Sequence, residues 1–123
     1  SRPTEVTMTV LIILNDPPYG TERAYNGLRL ALQLGRQETV DVRLFLMADA
    51  VACARSGQST PEGYYNLERM LRGVVTRGGM VAACGTCMDA RGVTEGELLE
   101  GVERGSMELL GRWVVEADRV IGF

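Results

Sequence analysis

The sequence predicts an α/β fold: one domain built as a three-layer sandwich, with a mostly parallel sheet of about five strands and helices on both faces. Three observations support this prediction. Short β-branched and aliphatic runs alternate with segments of helical periodicity, which is typical of parallel sheets with crossover helices. The first run is almost continuously apolar, as expected for a central strand covered on both faces. The 123 residues contain no linker, repeat or low-complexity segment, so residues 1–123 form one domain.

The first strand is predicted over residues 6–14, and residues 1–5 are expected to be a flexible tail. Turn-forming residues 15–20 end the strand. Thr21 then caps a helix whose apolar residues recur at helical spacing. These residues are Ala24, Leu28, Ala31, Leu32 and Gly35.

A second strand is predicted over residues 40–47, followed by a short helical turn over residues 49–55. Thr60 and Pro61 have the properties of the cap and first position of the next helix. That helix is expected to stop near Gly78 and Gly79. Its predicted buried residues are Leu67, Met70, Leu71, Val74 and Val75.

The last third of the chain is predicted to contain two strands and two helices. The apolar residues 80–84 form a strand, and Thr94 and Glu97 have the spacing of a capping box that opens a helix ending at Gly105. Ser106 caps a final amphipathic helix. Residues 119–123 close the chain as a strand.

Composition excludes several kinds of site. The chain has no histidine, and all thirteen basic residues are arginine. Catalysis by Ser-His-Asp or Cys-His groups, histidine metal sites and lysine Schiff bases are therefore unavailable within one chain. Three cysteines remain as the main candidate nucleophiles, and no cofactor is expected.

The net charge of −3 gives no electrostatic reason to expect a nucleic-acid partner. No apolar run reaches the ~20 residues needed to cross a membrane, and no signal-peptide pattern is visible. We therefore expect a cytoplasmic protein whose cysteines are thiols and not a disulfide framework.

Three segments follow strands at the carboxyl edge of the predicted sheet, where ligands and reactive groups gather in such folds. They are residues 15–21, 49–57 and 84–92. The third is the most informative, because Cys84 stands at the end of a strand and precedes a turn. Free N–H groups of that turn, and Arg91 if it folds back, would favour its thiolate. A thiolate can attack the outer sulfur of a persulfide without further machinery.

Other interpretations of the cysteines stay open at this point. Cys84 can equally be a small buried packing residue, since free cysteine is often buried. Cys84 and Cys87 are spaced as a dithiol redox pair. A zinc site needs about four ligands, which one chain does not supply, so no metal is expected.

Further residues at the same edge are candidates for lining the site. They are Asn15, Asp16, Tyr19, Cys53, Thr86 and Arg91. Two of them have a plainer explanation: Cys53 is more simply a packing residue, and Asp16 before two prolines is a turn residue. Tyr64 and Tyr65 could also line a pocket, but aromatic residues at the start of an amphipathic helix are usually core.

The order and spacing of five blocks resemble the DsrE/DsrF-like family, which includes the YchN-type proteins and small sulfur-relay subunits. The resemblance covers nearly the whole chain. The blocks are residues 15–24, 45–51, 63–71, 84–92 and 117–123.

The resemblance implies a function and an assembly. The family's sulfur-accepting cysteine lies at the end of a strand that precedes an Arg-Gly pair, and Cys84, ahead of Arg91 and Gly92, matches it. It thus implies a sulfurtransferase-like carrier that holds a persulfide, with sulfur donor and acceptor proteins that the sequence does not name. It also implies a homo-oligomer, a trimer or hexamer. Cys87 is an extra thiol compared with the relay subunits, so a dithiol redox protein or a non-catalytic oligomeric scaffold remain alternatives.

Overall fold

A computed structural model, which describes residues 5–6 and 8–123, has a five-stranded, all-parallel sheet in the order β4-β3-β2-β1-β5. The predicted α/β class is confirmed. The strands are β1 Met8–Leu14, β2 Val40–Leu46, β3 Met80–Cys84, β4 Val102–Gly105 and β5 Arg119–Gly122. The α-helices are α1 Arg23–Leu34, α2 Leu67–Thr76, α3 Gly85–Ala90 and α4 Met107–Glu116, and 3₁₀ segments span Ala48–Ala54 and Glu95–Glu97.

The strand order distributes the helices over both faces. From β1 to β4 the chain moves stepwise toward one edge, and α4 then returns it to β5 beyond β1. With right-handed crossovers, α4 must cover the face opposite α1 and α2. The side chains agree: Leu14 points at Gly27 of α1, whereas the Phe45 ring meets the Trp113 ring of α4 edge-on at 6.1 Å.

The core is densest along β1 and β2, the two central strands. Both faces of these strands are covered, so neighbouring residues such as Leu44, Phe45 and Leu46 are all fully buried. This is why the two segments read as apolar runs without alternation. The parallel register places the carboxyl ends of β1, β2 and β3 at one edge of the sheet.

The prediction that α2 begins at Thr60 and Pro61 is wrong. Residues 61–64 form a turn in which the Tyr64 N–H donates to the Pro61 carbonyl, and Gly63 has φ +82°. The helix begins at Leu67, where the Asn66 side chain accepts the N–H of Arg69. A proline is favourable in the first turn of a helix, but Gly63, two residues after Pro61, has a left-handed backbone. A helix therefore cannot run through this position.

The helix predicted after Thr94 is also wrong. The capping box between Thr94 and Glu97 forms, but it opens only a 3₁₀ turn. Leu98 is extended and Gly101 has φ +95°, so the chain leaves the helical region and enters β4. Pairing of β4 with β3 replaces the local helix, which moves Arg104 and Gly105 next to the end of β3.

The other boundaries differ only slightly from expectation. β3 covers the predicted residues 80–84, and Ser106 caps α4 by accepting the N–H of Leu109. The Thr21 hydroxyl accepts the N–H of Arg23 at the start of α1. β1 begins at Met8, two residues later than predicted, and most of the expected flexible tail (residues 1–4) lies outside the described residues.

Candidate functional site

Cys84 is the last residue of β3 and the N-cap of α3. It pairs with Gly105 of β4 in the sheet register. The residue is 5% exposed, less than its position at a strand end predicts. The reason is that the first turn of α3 folds back over its sulfur. The Cys87 N–H donates to Cys84 Sγ at 3.3 Å, and the Thr86 hydroxyl lies 3.5 Å from the same atom.

These neighbours favour the ionised form of Cys84. Burial alone would raise the pKa of the thiol, because desolvation penalises the charged form. Hydrogen bonds from the side chains of Cys87 and Thr86, and from their backbone amides, outweigh burial and hold the pKa of Cys84 below its ordinary value. Cys84 therefore combines little exposure with a stabilised thiolate.

Cys87 is half-buried and is held on the side of the 3₁₀ segment. Its Sγ accepts the backbone N–H of Ala48 at 3.2 Å. Burial and the interaction with Cys84 raise the pKa of Cys87, while the Ala48 amide and the charge of Arg91 oppose that rise. The two thiols thus differ in character: Cys84 ionises more readily than an ordinary thiol, and Cys87 ionises less readily.

Ala48 has a backbone conformation that is unusual for its residue type. Its φ is +49°, the left-handed region that residues with a Cβ rarely adopt. Ala48 lies just after β2, and in this conformation its N–H donates to Cys87 Sγ. Strained backbone of this kind persists only where the surroundings fix it, and it is common beside functional groups.

Arg104 borders the site from β4. Its guanidinium lies directly over Gly85, since a Cβ added to Gly85 would be 2.7 Å from the guanidinium carbon. The same group donates two hydrogen bonds to Asp89, at 3.0 and 2.9 Å. The Asp89 hydrogen bonds raise the pKa of Arg104, and the charge of Cys84 adds to that rise. Arg104 therefore places a positive charge near the Cys84 sulfur.

Arg91 follows α3 and lies on the Cys87 side of the pair. Its Nε donates to Asp49 at 2.8 Å, and its NH1 donates to the Cys87 carbonyl at 3.1 Å. The side chain does fold back, but the hydrogen bond that it donates to this segment goes to the backbone carbonyl of Cys87 and not to Cys84. Each arginine is thus matched by one carboxylate, and the dithiol lies between the two ion pairs.

The remaining candidates make contacts elsewhere along the edge. Asn15 donates to the Phe123 carbonyl, and Asp16 accepts the Thr21 hydroxyl. Tyr19 donates to the Gln58 side chain at 2.6 Å and accepts the N–H of Leu67. These bonds tie the β1 turn to β5, to α1 and to the start of α2. Among the described residues, none of the hydrogen bonds of Asn15, Asp16 and Tyr19 goes to Cys84 or Cys87.

Cys53 lies within the 3₁₀ segment and is fully buried. Burial raises its pKa to about 12, so the thiol is neutral and shielded at ordinary pH. It packs against the apolar core, as the plainer interpretation of the sequence expects.

Sequence reasoning missed Ala48 and Arg104. Arg104 is missed because its segment is predicted to be helical. An Arg-Gly pair directly before the Ser106 cap also fits the end of a short strand, and that pattern is the signal that could have indicated β4. The role of Ala48 depends on its main chain. No side-chain pattern signals a left-handed alanine whose amide reaches a thiol.

Within residues 5–6 and 8–123, no three cysteine or carboxylate side chains converge as metal ligands, and no helix has the length and apolar character to span a bilayer.

Comparison with known proteins matches this chain to one family over almost its full length. The model of the DsrE/DsrF-like family matches residues 8–123. Protein YchN of Escherichia coli is 43% identical over 115 residues, covering 93% of this chain and 97% of YchN. The uncharacterized protein MK0008 of Methanopyrus kandleri is 40% identical over 114 residues, covering 93% of each chain.

A solved structure agrees with the sequence comparison. The crystal structure of the E. coli ychN protein superposes with a TM-score of 0.90 at 42% identity, covering 95% of this chain and all of the other. The similarity therefore extends over the whole five-stranded domain.

Proposed function

Since this chain belongs to the DsrE/DsrF-like family, which is associated with sulfur relay, we propose that it is a sulfur carrier that accepts sulfane sulfur as a persulfide on Cys84. Its proposed setting is the cytoplasm, where thiols stay reduced. The role is that of a sulfurtransferase-like carrier, which receives sulfur from one protein or small molecule and delivers it to another.

The observation that carries the proposal is the hydrogen bonding around the Cys84 sulfur. An amide N–H and a hydroxyl surround Sγ, and a second thiol adds to them. Donors of this kind stabilise negative charge on the Cys84 sulfur, both in the thiolate that attacks and in the thiolate that is regenerated when the sulfur is delivered. Cys53, which packs in the core, has only its own backbone N–H as a donor among the described residues, and burial outweighs it.

The accepting step needs no group beyond the thiolate. The Cys84 sulfur attacks the outer sulfur of a donor persulfide, and the new S–S bond forms as the donor S–S bond breaks. The bonding pair leaves with the donor sulfur, which takes up the proton of the donor persulfide and departs as a thiol, and Cys84 holds Cys–S–S⁻. Delivery repeats the exchange with an acceptor thiolate as the attacking group.

The low exposure of Cys84 restricts which donors can deliver sulfur. Only a narrow group can approach a residue that is 5% exposed. The terminal sulfur of the donor must therefore lie at the end of a narrow, extended group. A small-molecule persulfide or a cysteine persulfide on a protein loop meets this requirement.

The test is uptake of sulfur measured by intact mass. Wild-type protein that is quenched with acid directly after mixing with glutathione persulfide, before any later reaction of the persulfide, should gain the mass of one sulfur atom. Cys84→Ser should gain none, because the attacking thiolate is gone. Cys53→Ala is the matched control and should gain sulfur like the wild type. Equal uptake by Cys84→Ser and wild type would refute the assignment.

A second candidate is a dithiol redox protein, favoured by the spacing of Cys84 as N-cap and Cys87 three residues later. In that case a mild oxidant without sulfane sulfur should convert both thiols to a disulfide. Thiol counting before and after oxidation, with Cys87→Ser as the control, separates this activity from sulfur carriage. Retention of both thiols would exclude it.

A further inference from the structure

Cys87 is placed to react with whatever Cys84 carries. Its backbone N–H is bonded to Cys84 Sγ at 3.3 Å, and its thiol hydrogen-bonds with that of Cys84, each side chain shifting the ionisation of the other. Residues three apart at the start of a helix lie on the same side of the turn. The sulfur nearest Cys87 is therefore the γ-sulfur of Cys84, which becomes the inner sulfur of a persulfide.

We propose that Cys87 discharges the Cys84 persulfide within the same chain, releasing hydrosulfide and leaving a Cys84–Cys87 disulfide. The inference rests on the proposed function, because it requires a persulfide on Cys84. It adds an outcome for the sulfur: reduction to sulfide, in place of transfer to an acceptor thiol.

The step balances without an external reagent. The Cys87 sulfur attacks the inner sulfur of Cys84–S–S⁻, and the bond to the outer sulfur breaks with its electron pair. The proton of the Cys87 thiol goes to the departing sulfur, so the products are the disulfide and HS⁻. The sulfane sulfur is reduced by two electrons, and the two cysteines are oxidised by two. A dithiol reductant of the thioredoxin class then restores both thiols for the next cycle.

The surroundings of Cys87 suit this role. The Ala48 N–H, 3.2 Å from Cys87 Sγ, stabilises the negative charge that grows on the sulfur as its proton leaves. The charge of Arg91 acts in the same direction. The proton is present at the outset, because burial raises the pKa of the Cys87 thiol.

The low exposure of Cys84 also favours release of the outer sulfur by a thiol of the same chain. Cys84 is 5% exposed, so an acceptor protein must reach into the site, whereas Cys87 is already inside it. The leaving HS⁻ is the smallest group that a persulfide can release. Discharge therefore needs no opening of the structure.

The experiment follows sulfur after a single loading. Wild-type protein and Cys87→Ser are loaded with glutathione persulfide, freed of donor and small thiols, and incubated anaerobically. Wild type should release one sulfide per loaded chain and end lighter than the reduced chain by two hydrogens. Cys87→Ser should keep its added sulfur and release no sulfide, and Cys53→Ala should behave as wild type.

Each other outcome decides between the two proposals. If Cys87→Ser gains sulfur while wild type also keeps it and releases none, the discharge is refuted and the carrier function stands. A persulfide found on Cys87 in wild type would mean that Cys87 attacks the outer sulfur of the Cys84 persulfide and not the inner one. That outcome also refutes the discharge. If neither protein gains sulfur, the carrier function itself fails. Cys87→Ala, checked by circular dichroism, repeats the comparison if Cys87→Ser does not fold.

Discussion

At the scale of single residues, the three cysteines differ because their neighbours differ. Cys53 is surrounded by apolar side chains, and burial raises its pKa to about 12. Cys84 is nearly as buried, but hydrogen-bond donors reverse the effect and lower its pKa. Burial alone therefore does not decide whether a thiol is reactive; the donors around the sulfur do.

Removing the Cys87 side chain should make Cys84 less reactive. In Cys87→Ala, one hydrogen bond to the Cys84 thiolate is lost, so the pKa of Cys84 rises. The loss of ~1 kcal/mol predicts an alkylation rate about fivefold lower at pH 7. Iodoacetamide labelling followed by peptide mass spectrometry measures the rate at each cysteine.

Two controls accompany this measurement. Cys87→Ser keeps a donor group and should retain most of the Cys84 rate. Cys53 should stay unlabelled in every folded variant and react only after unfolding. A Cys84 rate that is unchanged or faster in Cys87→Ala would show that the neighbouring thiol does not stabilise the thiolate.

The residues of the site could be predicted only in part. The position of Cys84 follows from an apolar run that ends in cysteine and glycine before a polar turn. The Ala48 amide could not be predicted, because its place depends on a backbone angle and on the distance between two elements. Arg104 could be predicted only in part. Asp89 lies in the segment predicted to carry the site, but the pairing of Arg104 with Asp89 depends on the formation of β4.

At the scale of secondary-structure elements, local signals predicted the identity of most strands and helices but not all of their beginnings. The capping pattern at Thr60 places the cap of α2 six residues too early, and the pattern at Thr94 suggests an α-helix that does not form. In each case left-handed glycines interrupt the segment, and tertiary pairing offers an alternative. β4 shows the effect best, because four residues of which two are charged form a strand where β3 provides a partner edge.

Two glycines provide a matched test of how β4 holds the site. Gly105 faces the core, and an added Cβ would lie 2.9 Å from the Phe45 ring. Gly105→Ala should therefore lower the free energy of unfolding by about 1–3 kcal/mol through overpacking. Gly111 lies within α4 with open space around it, and Gly111→Ala should raise the stability by about 0.5–1 kcal/mol.

Urea denaturation of both variants at one protein concentration gives the two values. If Gly105→Ala and Gly111→Ala change the free energy of unfolding in the same direction, the packing described for β4 is contradicted. In the folded fraction, the Gly105→Ala protein should also label faster at Cys84, because Gly105 is its register partner in the sheet.

At the scale of the whole molecule, the strand order brings the reactive pair together with its neighbours. Cys84 follows β3, Ala48 follows β2 and Arg104 belongs to β4, and these three strands are adjacent. The alternation of strands and helices predicts a parallel sheet, but it does not give the order of the strands. The carboxyl edge could therefore be predicted as the location of the site, whereas the set of residues meeting there could not.

Exposed apolar side chains on α4 and β5 agree with the oligomer that the family resemblance implies. Met107, Val114, Val115 and Val120 are 42–85% exposed in the isolated chain. We propose that they are covered in a trimer or hexamer of the 13.4 kDa chain. Light scattering after size exclusion should give three or six times that mass.

A charge on this surface should weaken the assembly. Val115→Glu places a carboxylate where an apolar side chain is 85% exposed, and it should reduce the native mass. Arg112→Ala, on the same helix, serves as the control for a change at a polar position. A monomeric wild-type protein at micromolar concentration would contradict the proposed assembly.

The most direct test of the account is the pH dependence of sulfur uptake by wild-type protein. If the Cys84 thiolate is the acceptor, uptake from glutathione persulfide should rise with pH and reach its midpoint below the ordinary thiol value of 9.0, together with Cys84 alkylation. Uptake that has its midpoint at or above 9.0, or that follows the labelling of Cys87 instead, would contradict it.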